Sequence, residues 1–468
     1  MSRKFKTPDY ESTLNSTVSL REALPANHLA RFVVDIVVQL DLSRIYARYA
    51  MLGGPGFAPE ILLALLFYGY ASGVFSSRKI EKATYENLGF RFVASGFHPD
   101  HDTIAHFRKT FLPEIQILFV EILLLAKLAG ILKLGNLSLD GSKIHADASK
   151  SHAVSHKRLL ELEAQLKAEV ARLLTLGEQA DQGDVILPDA FVVEDEIAIR
   201  QKRLEKLGEA KRVLEARARE RYTAEQAEYE AKLREREEKA RRNPRKPNGP
   251  APKPPEAGPR DKDQYNFTDP DSRIMKNSTN DGFDQHYNAQ AAVEQSSMLI
   301  VAASLCNHPN DKQEALPTLD AIVPEIGKPE AAALDNGYYS EANITGMEQR
   351  GIEPYIATGR EPHYKSVDGL LDTLPEPPLE TASPKEKMAY KLRTEIGQAI
   401  YRLRKCTVEP VIGIIKEILG FRQFSLRGLA AVTGEWFLVC LAFNLKHMHI
   451  LWIEQGLFHC PAGADQHG

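Results

Sequence analysis

The sequence predicts an α/β fold, a mixed sheet with helices on its faces, preceded by an all-helical region and interrupted by a helical insertion. Three observations predict it. Short apolar strand-like segments alternate with helical ones after residue 262, two strands carry aspartates at turns, and residues 156–243 form a charge-dense helical stretch.

Residues 18–130 read as helical throughout, with apolar residues at three- and four-residue spacing in 28–41, 59–71 and 112–131. Gly53-Gly54-Pro55-Gly56 breaks the run, and a new helix starts near Pro59. Two short polar helices follow at 76–81 and 101–109, with Ser76 or Ser77 and Asp100 or Asp102 as caps. Arg78, Lys79, Arg108 and Lys109, placed on exposed faces, make a DNA-gripping helix-turn-helix one reading; a plain helical hairpin with solvated charges has the same spacing.

Leu137–Ile144 alternates as a strand, with Asp140 at its centre and Gly141 after it. A buried carboxylate is costly unless neutralised, which a bound cation would do; an Asp-Gly turn is the bland alternative. A second cluster, Lys143, His145, Asp147 and His152, follows Asp140; His145, Asp147 and His152 read as a polar loop after the strand, with neighbours of a metal site as the alternative. Residues 156–243 suggest a helical hairpin broken near Gly183–Pro188, whose second arm, Glu194–Arg242, is a projecting or self-paired coiled coil. The Pro/Gly/Lys-rich stretch to Asp261 reads as a flexible basic linker.

Order returns at Tyr265. Residues 287–294 and 299–305 flank Gln295-Ser296-Ser297 as a hairpin, a helix covers Asp311–Ile322, and the strand Ala331–Leu334 ends in Asp335-Asn336-Gly337-Tyr338. A helix begins near Ser340, so Asp335 stands where open α/β sheets carry ligands. The strand Tyr355–Ala357 precedes a Pro-rich loop at 361–385. Lys387–Gly420 is helical, kinked or restarted at Pro410, with Glu409 and Lys416 facing the same way. Trp436–Leu445 is a buried helix on the sheet, and no apolar run of about 18 residues, the length a bilayer requires, is expected.

The 468 residues are 43% hydrophobic, enough for a large core, and the net charge of −4 requires any nucleic acid to be met by local basic patches. Four scattered cysteines without a CxxC pair argue against a zinc site or disulfide framework and fit a reducing cytoplasm. The N-terminus has no apolar segment behind its charges, so neither export nor a membrane partner is expected. The expected division is a helical DNA-binding domain at 1–131, a core at 132–155 and 262–455, an inserted arm and linker at 156–261, and a disordered tail at 456–468.

Three carboxylates, Asp140, Asp335 and Glu409, suit two divalent cations that clamp the attacking and leaving oxygens of a phosphodiester displacement. Among 63 acids, position at strand ends is the argument, not number.

The strings NLSLDGSKIHA, HYNAQAAVE, AALDNGYYS and YRLRKCTVEPVIGIIK resemble the catalytic core of DDE transposases of bacterial insertion sequences. FYGYASGVFSSRKIEKA and PDHDTIAHFRKTF are similar to the helical domain that precedes it. The resemblance implies an RNase H-like core with Asp140, Asp335 and Glu409 as the catalytic, metal-binding triad, two Mg²⁺ ions, and Mn²⁺ as a substitute. It implies that Tyr401, Arg404 and Lys416 belong to a signature engaging DNA phosphates; the family's arginine spacing falls on Lys405, whereas the tyrosine spacing selects Arg404. Double-stranded DNA, as terminal inverted repeats and target, a homodimer and a bacterial cytoplasmic, nucleoid-associated location follow from the same resemblance. The competing readings are a decayed or domesticated DNA-binding protein without catalysis, and a coiled-coil structural protein.

Overall fold

In a computed structural model the described residues are 5–10, 19–49, 56–188, 190–242, 250–277, 282–359 and 376–456. The turn expected at 53–55, most of the Pro-rich loop, part of the basic linker, and the tail beyond residue 456 lie outside them. The chain forms two compact units, Met1–Asp147 with Asp271–Gly468, and Ala148–Pro270.

The first unit opens with β1 (Phe5–Lys6), α1 (Leu29–Val37), α2 (Ser43–Ala47) and β2 (Gly56–Phe57), which pairs with β1. α3 (Pro59–Ala71) starts at a proline, whose fixed φ and missing N–H suit a helix's first turn, and is apolar all round because it is buried on every side. α4 (Ser77–Glu86), α5 (Leu88–Val93), α6 (His101–Thr110) and α7 (Leu112–Leu128) follow. The two expected polar helices are α4 and α6, but α5 stands between them, so they are not the turn-linked pair of a helix-turn-helix. Asn87 ends α4 and caps α5, and the Asp100 side chain caps α6 by accepting from Thr103 N–H. β3 (Leu137–His145) completes this segment.

The second unit is a hairpin of α8 (His156–Asp181) and α9 (Val193–Arg242), rooted on the two-stranded sheet of β4 (Ala153–Ser155) and β5 (Gln264–Asn266). Leu159 and Leu166 of α8 meet Leu207, Ala210 and Leu214 of α9 in a narrow seam closed by Val154 and Tyr265. The second helix is therefore self-paired, and ion pairs such as Lys211–Glu163 at 3.1 Å line the seam.

The first unit resumes with β6 (Arg273–Lys276), β7 (Phe283–Glu294), β8 (Ile300–Cys306), β9 (Ala331–Leu334) and β10 (Glu353–Ile356). Sheet order is β10-β9-β3-β7-β6, with β8 also on β7; β3 runs parallel to β9 and antiparallel to β7. α10 (Ala315–Asp320), α11 (Glu341–Gln349), α12 (Pro384–Arg393), α13 (Glu395–Gly413) and α14 (Leu429–Glu454) complete it, giving a mixed sheet flanked by helices, consistent with an RNase H-like fold. α13 lies against β3, β7, β9 and β10, and α14 against β8, α3 and α7, so the N-terminal helices share one compact unit with the sheet.

Two expectations on the late helices need correction. The break falls at Thr394, which caps α13, and not at Pro410; the helix runs through Pro410 and widens into a π-helical turn at Ile414–Ile418. α14 also reaches the length and apolar character of a membrane span, contrary to expectation. It is instead a core helix: its Asn444 amide bonds both the N–H and C=O of Ile300, and Trp436 donates to Gln290 O at 3.0 Å.

Candidate active site

β3 and β9 pair in parallel as far as Leu139 opposite Leu334, and the next residue on each strand is an acid, Asp140 and Asp335. Neighbouring strands lie about 4.8 Å apart, so register alone sets the two side by side where β9 ends. Asp140 opens no turn: Asp140 and Gly141 continue the strand opposite Ala291 and Gln290. Asp335 caps a short 3₁₀ turn, Asn336–Tyr338, its Oδ1 accepting from Gly337 N–H at 2.8 Å.

Glu409 arrives from α13. That helix is pinned to β3 by Thr407 Oγ1 donating to Ser138 Oγ at 2.7 Å, and Ser138 and Asp140 share a strand face, as residues two apart must. One helical turn from Thr407, the buried Arg404 donates from Nη1 to Asp140 Oδ2 at 3.2 Å and from Nη2 to Glu409 Oε1 at 3.1 Å. A single guanidinium thus holds two acids of the triad, and its planar fork is what makes this geometry available.

The electrostatics follow first from burial and then from neighbouring charge. Burial pushes the Asp140 carboxyl up to about 7; the charges of Asp335 and Asp311 add to the rise, and Arg404 and the Gly141 N–H oppose it. Burial also raises Asp335, with Asp311 adding and the Gly337 N–H and Arg404 opposing. The negative charge gathered here exceeds what one arginine neutralises.

The remaining expected residues divide. Lys416, half-buried in the π turn, donates from Nζ to Lys143 O at 2.9 Å, and burial lowers its pKa. Tyr401 packs with Ala331, Ala333 and Tyr355, its ring centre 5.8 Å from the Arg404 guanidinium. Lys405 is exposed, so Arg404 is the base that faces the acids. Arg78, Lys79 and Lys109 are exposed, but Arg108 is not on an exposed face. It is buried, donating to Tyr70 Oη at 2.8 Å and Phe75 O at 3.1 Å, 4.0 Å from the fully buried Glu435, so it ties α6 to α3 and α14. The His145 ring lies tilted against His286 with centres 4.3 Å apart, Asp147 pairs with Arg427 at 2.8 Å and His152 bonds Thr268 at 2.8 Å.

Asp311 escaped sequence reasoning, as did Asn288 and Gln290 of β7. The available signal was His286, Asn288 and Gln290 at alternate positions of the strand, all buried. Cys306, His308 and Glu314 also bring three ligand atoms within 4.8 Å, a grouping the lack of a CxxC motif did not foreshadow.

An acid cluster beyond the paired ends of parallel strands, faced by a guanidinium, stands where open α/β sheets carry their ligands. Residues 18–110 match the family model described as a transposase domain (DUF772), and residues 377–449 match that of a transposase DDE domain. The two matches together support a DDE transposase of an insertion sequence. That family implies a DNA-cleaving and DNA-transferring enzyme with a DNA substrate and divalent metal use. Glu409 and its helix lie inside the DDE match, whereas Asp140 and Asp335 precede it. No curated protein and no solved structure matches the chain.

Proposed function

We propose that the protein binds the terminal inverted repeats of its element and performs strand cleavage and strand transfer by phosphoryl transfer at Asp140, Asp335 and Glu409. The observation that carries this is the register that ends with Asp140 beside Asp335, with Arg404 joining Asp140 to Glu409. The donor set fits Mg²⁺ or Mn²⁺: every triad ligand is a carboxylate oxygen, and burial, with the charges of Asp335 and Asp311 adding to it, has raised the Asp140 carboxyl to about 7, so a bound cation would favour its ionised form. Two such ions, when bound, would lower the pKa of the attacking water or hydroxyl and stabilise charge on the leaving oxygen.

The chain's own residues supply placement. Arg404 orients Asp140 and Glu409, and Lys416, fixed on the Lys143 carbonyl, offers a cation to a DNA phosphate with Tyr401 and Lys405 on the same helical segment. Arg78, Lys79 and Lys109 are the local basic patch that an acidic chain needs to hold the repeats. In this reading residues 1–131 carry DNA binding, 132–155 with 262–455 carry catalysis, 156–261 form an inserted arm, and two copies act together in a bacterial cytoplasm, at the nucleoid.

The test is cleavage of duplexes bearing the terminal repeats with Mg²⁺ or Mn²⁺. The expected result is metal-dependent nicking at the element's ends. Tight repeat binding without any cleavage would overturn the enzyme reading in favour of a DNA-binding derivative, against which the intact triad weighs.

A further inference from the structure

We propose that Asp311 is a fourth carboxylate ligand of the catalytic metal site, sharing a divalent cation with Asp335. The inference rests on the metal-dependent reading of that site. Asp311 begins a 3₁₀ turn, Asp311–Gln313, in the connection between β8 and α10. Its Oδ1 accepts from Asn288 Nδ2 at 2.7 Å and Gln290 Nε2 at 3.0 Å, both on β7. Gln290 in turn accepts a hydrogen bond from the buried Tyr338, three residues after Asp335. A polar relay therefore runs from the Asp335 turn through the strand beside β3 to Asp311, and it fixes where that carboxylate points.

Two glycines register its approach. Gly141 follows Asp140, and a Cβ there would meet Gln290 Nε2 and lie 2.6 Å from Asp311 Oδ1. Gly337 is two residues past Asp335, and a Cβ there would lie 3.0 Å from Asp335 Oδ1 and 3.6 Å from Asp311 Oδ2. Each glycine leaves room for the Asp311 carboxylate, Gly141 against β3 itself and Gly337 beside Asp335. The carboxylate enters on the Gln290 side of β3 and Asp140 on the α13 side, both at the edge of β3 that β9 leaves open after Leu139–Leu334.

A purely structural role does not require an acid here. The two amide donors converge on Oδ1 alone, and a neutral acceptor would satisfy them without setting another negative charge against Asp140 and Asp335. Oδ2, turned toward Asp335, is the atom a structural role leaves without a purpose and a shared cation would use.

The test is Mn²⁺ binding to the full-length protein without DNA, with free Mn²⁺ followed by electron paramagnetic resonance, beside thermal melts in EDTA. Asp311→Asn is expected to weaken Mn²⁺ binding by about tenfold or more, the scale on which metal sites respond to losing a ligand-shell group. Its melt in EDTA should match wild type, and Asp311→Glu should recover part of the affinity. Asp311→Ser serves for the same titration if the Asn variant does not fold. Wild-type Mn²⁺ affinity in the Asn or Ser variant would overturn the proposal. Asp335→Asn separates the two readings: if it loses Mn²⁺ while Asp311→Asn retains it, only the Asp311 assignment fails. If the wild type itself binds no Mn²⁺, the metal reading of the whole site fails.

Discussion

The sheet-bearing unit and the helical hairpin treat charge in opposite ways. In the sheet-bearing unit, charged and polar groups are inside: Arg404, Gln290, Asn288, Glu435 and Arg108 are all buried, each held by named partners. In the helical hairpin they are outside, strung along a seam only a few leucines wide. Burying a charge costs free energy unless it is paired, whereas an exposed pair costs and contributes little. The sheet unit therefore carries the larger electrostatic load, part of it structural, as with Arg108 and Glu435, and part of it at the acids that Arg404 joins.

The sharpest way to break this contrast is at the triad. Asp335→Asn removes one charge beside Asp140 and should reduce strand cleavage by at least about 10²-fold, the scale of losing a charge-stabilising group, with repeat binding largely intact. Gel-shift and nicking assays on the same preparation measure both. Retained cleavage would remove Asp335 from the site.

The hairpin should answer to apolar truncation and not to loss of charge. Leu214 is 2% exposed in the seam, and Leu214→Ala should cost roughly 2–5 kcal/mol in the hairpin's own melting. Scanning calorimetry should show the low-temperature transition move while the Mn²⁺ affinity of the sheet unit stays put. For the same reason, deleting residues 200–240 strips Leu159 and Leu166 of their partners; the sheet unit should keep its transition, and its collapse would show that the two units depend on each other.

The same division explains what could be read in advance. Strands at 137–144, 287–294, 299–305 and 331–334 were legible because alternation is a local signal, and the sheet realises them within a residue or a few of those bounds. The acids at 140, 335 and 409 were legible from placement and resemblance. The helix break was misplaced because Pro410 is a loud local cue, while Thr394, which accepts from Gly397 N–H as a cap, is a quiet one. Arg108 was misassigned because a basic residue on a polar helix looks solvated until Tyr70 and Glu435, on distant segments, come to meet it. Asp311 was invisible for a related reason. Its meaning depends on Gly141 pairing with Gln290 across the sheet, a register no local window contains.

A pH series sharpens the comparison, since the two units should respond with opposite sign. Asp140's carboxyl is raised to about 7 in the folded chain, above the ordinary carboxylate value of about 4 that it has when unfolded. Its neutral form is the one the metal-free fold favours, so the stability it contributes is full below pH 4 and is lost as pH rises toward and through 7. A divalent cation reverses that loss by taking the proton's place. The rise in melting temperature on adding Mg²⁺ should therefore be larger at pH 8 than at pH 6; an equal rise at both would separate Asp140 from the metal.

The smallest effect belongs to the hairpin's ion pairs, and its sign is reversed. Glu163 accepts from Lys167 on its own helix and from Lys211 of α9 at 3.1 Å, and these bonds hold its carboxyl below the usual glutamate range. A depressed carboxylate adds stability above its unfolded pKa and loses it as pH falls through the folded one. Glu163 is only partly exposed but lies on the rim of the seam within reach of solvent, so screening limits the contribution, and Glu163→Gln should cost less than about 1 kcal/mol at pH 7. The deficit should shrink in 1 M salt, where the screening length is about 3 Å, and fade as pH falls through the folded pKa and the wild-type carboxyl itself takes a proton. A deficit that survives both conditions would mean that the Glu163 stem packs on the seam, and that the hairpin's polar face contributes to its core.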